Sequence, residues 1–268
     1  MLRGQNRRFG YKMSDQVEVY DVINYRLQRR LTVPGCFDLS DMTSCEHNVC
    51  VYIGDCRRKC YKIYRLDVQG ATTEWAVNDE PKGLSVNAAH NVIVTFDEVR
   101  KINEFSTHGD LLCELTLPDD VINPRHSIQT RNGEFIVCHG YDDDIFHRVC
   151  KISVDGDIIQ SHGRQRGSDI GEYDIPRHLA VDNNEFVFVV DIFNRRVTLL
   201  SPTLEYVGHV MSLDDTKWSP SRLCLDIHRR RLYVAENEYS DGEYRAGRVV
   251  VLSVCKTVPT ELCESTRL

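Results

Sequence analysis

Residues 175–202 read IPRHLAVDNNEFVFVVDIFNRRVTLLSP, and this stretch decides the fold. A proline leads into a short apolar run, the polar turn DNNE follows, then FVFVVD, a second turn, and RVTLL. Val, Phe and Leu dominate these runs, and branched or aromatic side chains suit a pleated surface better than a helix. FVFVV is apolar at successive positions, so both of its faces need cover from neighbouring layers.

The same order recurs along the chain. Prolines lead into EPKGLSV, NPRHSIQ, IPRHLAV and SPSRLCL, and HNVCVYIGD, HNVIVTFDE, GEFIVCHGY, NEFVFVVDI and RRLYVAENE supply five central runs. Their first apolar residues, Val49, Val92, Phe135, Phe186 and Leu232, lie 43, 43, 51 and 46 residues apart. The longest interval holds the Gly- and Asp-rich insertion QSHGRQRGSDIGEYD. A third strand (CYKIYRLD, RKINEFST, RVCKISVD, RVTLLSP, RVVVLSV) and a more polar fourth complete each copy. Four short antiparallel strands in about 45 residues is the blade of a β-propeller. Helical periodicity is almost absent, which excludes an α-solenoid. A single repeat cannot bury its own faces, so stability must come from blade packing against blade.

Residues 175–202 resemble the NHL repeat, with Pro176 leading in, Asp191 closing the second strand and Asn194-Arg195-Arg196-Val197 opening the third. GSDIGEYD before it resembles the lead-in common in that family, and His147-Arg148-Val149 keeps the His-Arg-Val element in another copy. The resemblance implies an all-β, NHL-like propeller of five to six blades, of the kind found in TRIM-NHL-type proteins. It also implies a non-catalytic protein-binding scaffold, including substrate recognition in a ubiquitin-ligase context. No RING or B-box cysteine spacing accompanies it. The expected organisation is an N-terminal extension at 1–15, disordered, and a propeller at 16–254. Repeats fall near 35–78, 79–117, 123–162, 175–210 and 219–254, with a partial blade at 16–33 and a tail or closing strand at 255–268.

A net charge of −7 over 268 residues argues against a protein that coats nucleic acid or an anionic membrane through its overall field. The opening MLRGQNRRFGYKMSDQ has no apolar core of a secretory signal, which points to the cytoplasm. The eleven cysteines then read mostly as free thiols, with Cys138 and Cys224 in apolar runs as core residues would be. The motif DCRRKC at 55–60, with Cys36, Cys45, Cys50 and His47 upstream, raises a zinc site. Mapped onto the repeat, those residues scatter over different turns and strands. Plain thiols are the expectation, and a Cys56–Cys60 cross-turn disulfide is the alternative in an oxidising setting.

Local charge points to a binding face. In a blade, the loop into the first strand and the turn between second and third strands emerge on one side. This places Lys82, Arg125, His126, Arg177, His178 and Arg222 on that side, with Arg57, Arg58, Lys59, Phe193, Arg195 and Arg196 further out. Such a set suits an acidic protein or peptide, with single-stranded RNA as the alternative because Phe193 and Tyr141 stand among the cations. The competing reading is that the arginines pair with acids such as Asp55, Asp191 and Glu172 and hold the repeats in register. Metal-dependent lactonase-like chemistry is a third possibility. Lysine and arginine at the lead-ins would repel a cation, so neither metal nor cofactor is expected. Asp142–Asp144 read as a solvated turn, and no nucleophile elbow or phosphate-binding loop is present.

Overall fold

The computed structural model describes residues 2–4, 16–36, 38–57, 60–213, 217–240, 243–254 and 265–267. Arg58 and Lys59 of the expected face lie outside them, as does most of the 1–15 extension. The described residues hold strands, turns and bends but no helix. Five four-stranded antiparallel sheets and one three-stranded sheet result, the architecture of a five-bladed β-propeller. The chain forms two compact units, Met1–Thr116 and Leu117–Leu268.

The first unit opens with the three-stranded sheet of β1 (Leu2–Gly4), β2 (Gln16–Tyr20) and β3 (Leu27–Thr32). Two blades follow, β4 (Leu39–Cys45), β5 (Cys50–Asp55), β6 (Lys62–Asp67) and β7 (Thr72–Ala76), then β8 (Pro81–Val86), β9 (Val92–Phe96), β10 (Lys101–Phe105) and β11 (Leu111–Thr116). The second unit has three blades. They are β12 (Pro124–Gln129), β13 (Phe135–His139), β14 (His147–Ile152) and β15 (Ile158–Arg164); β16 (Pro176–Val181), β17 (Val187–Asp191), β18 (Arg196–Leu200) and β19 (Tyr206–Ser212); and β20 (Trp218–Asp226), β21 (Arg231–Ser240), β22 (Glu243–Ser253) and β23 (Ser265–Arg267).

Hydropathy sets the order of strands within a blade. The second strands β5, β9, β13 and β17 are buried at every position, whereas β11 is exposed at five of its six. Cores form between blades. Phe188 and Val190 of β17 pack with Leu232 and Val234 of β21, while Ile136 and Cys138 of β13 pack with Val187 and Val189. In the first unit, Tyr52 and Ile63 pack with Leu84, Val92 and Val94. Cys138 is buried as expected, but Cys224 faces solvent, because alternation along β20 turns its side chain outward.

One turn depends on glycine. Gly140 has φ of 106°, and a Cβ there would meet the Phe146 carbonyl oxygen at 2.4 Å and the His147 Cα at 2.8 Å. Both neighbours are backbone and cannot step aside. Gly140→Ala is expected to cost about 2 kcal/mol or more, read as a lower urea midpoint; an unchanged midpoint would show that the turn has slack.

Candidate functional site

A lead-in proline is the pivot of four of the five first strands, β8, β12, β16 and β20. Ladder register slips between Pro81 and Gly83, Pro124 and His126, Pro176 and His178, and Pro220 and Arg222. Each slip is a β-bulge, which bends the strand and re-aims the side chains beside it. Arg125 and Arg177 occupy the bulge itself, and His126, His178 and Arg222 are the next paired residues. The loop ahead of the bulge is tied to the turn after the second strand. In the fourth blade the Asp174 amide donates to Asp191 Oδ1 at 2.7 Å and the Phe193 amide donates to the Asp174 carbonyl at 3.2 Å. The first blade repeats this, with the Asp38 amide on Asp55 Oδ1 at 3.2 Å and the Cys56 amide on the Asp38 carbonyl at 2.7 Å.

Within the second unit these bulges bring a compact group together. First strands β12 and β16 lie side by side, as do β16 and β20. His126 and His178 are buried and stack with ring centroids 3.9 Å apart. His178 Nδ1 accepts the Leu223 amide at 3.3 Å, which leaves the proton of the neutral ring on Nε2. Burial, then His126, Arg222 and Arg177, hold the His178 imidazole well below the ordinary 6.5, so it is neutral at physiological pH. Arg125 lies 4.1 Å over the ring of the exposed Tyr141, a cation–π contact. Phe193 is 54% exposed at the tip of the neighbouring turn, and Arg195 beside it holds φ of 51°. The result is a half-buried arginine set beside a stacked imidazole pair, with two exposed aromatic rings on the adjoining turns.

The other predicted residues divide. In the second unit Arg196 is buried and spent on its own blade. Its Nε donates to Asp191 Oδ2 at 2.8 Å, Nη1 to the Ser168 carbonyl at 2.8 Å and Nη2 to the Glu172 carbonyl at 2.7 Å. It therefore nails the insertion loop to the turn and has no surface to offer a partner. In the first unit Lys82 pairs with Glu80 at 2.7 Å and Asp97 at 3.3 Å, and Arg57 donates to Cys60 Sγ at 3.5 Å.

A second regularity is hard to see in sequence. Each blade's third strand carries a cation paired across the ladder with its second strand, as the first residue of β6, β10 and β18 and further in along β14 and β22: Lys62 opposite Asp55, Lys101 opposite Phe96, Arg148 opposite His139, Arg196 opposite Asp191 and Arg248 opposite Glu236. All five have acid partners within their own unit: Glu74, Glu114, Asp120, Asp191 and Glu236. These cations are therefore register devices.

Sheet order, bulged first strands and buried second strands define the class of the protein as a five-bladed β-propeller. No family model and no curated protein matches the chain. Solved structures do. A protein of unknown function from Bacteroides caccae is similar with a TM-score of 0.68 at 12% identity, over 92% of this chain and 88% of that one. The periplasmic gluconolactonase PpgL of Pseudomonas aeruginosa is similar with a TM-score of 0.65 at 13% identity, over 99% and 82%. Virginiamycin B lyase from Staphylococcus aureus is similar with a TM-score of 0.60 at 11% identity, over 90% and 85%. At such identities the likeness is one of fold.

Proposed function

We propose that the chain is a non-catalytic binding propeller that takes an acidic segment of a partner protein on the arginine face of its three-blade unit. The observation that carries this reading is the recurrence of Arg125, Arg177 and Arg222 at or beside the same bulge in three consecutive first strands. Arginine guanidiniums are planar, bidentate groups suited to carboxylates, and Tyr141 and Phe193 add exposed aromatic contact area. The NHL-type resemblance suggests ubiquitin ligation as the setting, but the residues here speak only to the binding step.

The test is anisotropy of a labelled glutamate-rich peptide at low and moderate salt. Arg125→Glu/Arg177→Glu/Arg222→Glu is expected to weaken binding about tenfold or more while the melting temperature holds. Equal affinity of wild type and variant would refute the reading. Tighter and more steeply salt-dependent binding of a labelled oligouridylate would replace it with single-stranded RNA recognition.

The stacked His126–His178 pair beside cations, with His178 held neutral, favours a second reading, turnover of a small anionic substrate, in line with the lactonase and lyase names among the similar structures. Opening of a gluconolactone by the purified protein, lost in His178→Ala, would support it; a rate equal to buffer would remove it.

A further inference from the structure

We infer that Cys45 and Cys50 form a thiol–disulfide site in the first unit, closing on reaction with a disulfide of the glutathione class. The two residues end β4 and begin β5, and they are direct cross-strand partners in the ladder. Directly opposed residues of an antiparallel pair have Cα atoms about 4.5–5.5 Å apart, inside the range a disulfide spans. No other described cysteine is so placed. Cys113 faces Glu104, Cys138 faces Val149, Cys150 faces Val137 and Cys224 faces Tyr233. Cys36, Cys56 and Cys60 lie outside the strands. The pair is thus singled out by register and not by the local density of cysteine.

The surroundings assign the two thiols different parts. Cys45 Sγ accepts the amide of Asn48 at 3.4 Å, on the turn side of the pair. Both thiols belong to one apolar cluster, and burial pushes the Cys50 thiol up. Cys45 is therefore the attacking group and Cys50 the resolving one. Both are nearly covered, at 4% and 3% exposure, but the turn that covers them is short, with Glu46, His47 and Val49 exposed. Val49 holds φ of 49°, an uncommon conformation for a branched residue, so this turn is a strained cover.

The chemistry balances without a further reagent. The Cys45 thiolate attacks one sulfur of glutathione disulfide, forming a mixed disulfide and releasing one glutathione thiolate. Cys50, its proton lost to solvent, attacks the Cys45 sulfur and expels the second. Two protein thiols are oxidised, one glutathione disulfide is reduced to two glutathiones, and the two protons end on them.

The test equilibrates the whole protein with glutathione disulfide, blocks remaining thiols with an alkylating agent and maps the peptides by mass. The peptide holding Cys45 and Cys50 is expected to lose two hydrogens, and alkylation at both residues to fall about tenfold. Exposed Cys113 and Cys224, with no thiol opposite, are expected to carry glutathione instead and report that the oxidant acted. In Cys50→Ser the mixed disulfide on Cys45 should persist. Full alkylation of Cys45 and Cys50 alongside glutathionylated Cys113 and Cys224 would overturn the inference, as would a bridge from Cys45 to any other cysteine.

Discussion

Replacing Arg196 with alanine is expected to cost about 3–5 kcal/mol, more than any single exposed cation on this protein could. The reason lies in what is left behind. Asp191 is wholly buried, and its carboxylate accepts from Arg196 and Asn194 at 2.8 Å and from the Asp174 amide at 2.7 Å. Truncation strands that charge and at the same time deprives the Ser168 and Glu172 carbonyls of their donor. The loop 165–174 loses its fastening, although Asn194 still donates to the Gly167 carbonyl at 2.8 Å. Arg196→Lys should recover only part of the loss, because a single ammonium cannot reach carboxylate and both carbonyls in the geometry of a guanidinium. Urea denaturation of the three proteins decides it. A loss under about 1 kcal/mol for the alanine variant would mean that water replaces the arginine without penalty.

This case also shows where reading the sequence stops. The repeat was legible because its cause is local: apolar runs of strand length, prolines at the lead-ins and polar turns at a regular interval. Arg195 and Arg196 are chemically identical neighbours in NRRV, yet one sits in a turn and the other is enclosed. Which is which depends on the residue that closes the turn and on the pairing of Arg196 with Asp191, a matter of register that composition does not fix. The same limit applies to His126 and His178. Their matching places in PRH were plain, but their stacking follows from two blades packing together, a non-local contact. Cys45 and Cys50 are the converse: the five-residue spacing was visible, and only the tight turn makes them partners. Cys36, Cys56 and Cys60, by contrast, lie outside the strands, and no ladder places them opposite another cysteine.

Acid is expected to unfold the second unit early. His139, His147 and His178 are all enclosed there, and burial lowers each below the ordinary 6.5, His139 to about 4 with Arg148 adding to the effect. Above about pH 6.5 these rings are neutral in folded and unfolded chains alike, so their stabilising contribution is intact. As the pH falls toward 4 the unfolded chain takes up protons that the folded one refuses, and stability is lost; His139 alone accounts for about 3 kcal/mol over that window. Asp191 acts in the opposite sense. Burial holds its carboxyl up at about 6 against the ordinary 3.8, so the folded state accepts that proton first and gains stability as the pH drops. That gain offsets about one histidine, and the other two set the net loss. His139→Asn isolates the imidazole from the aspartate: the stability gap between wild type and variant should shift by about 3 kcal/mol in the variant's favour between pH 7 and pH 4, measured by denaturant titration at each pH. A gap that stays constant across that range would show that His139 titrates alike in the folded and unfolded chains and that burial does not govern its charge.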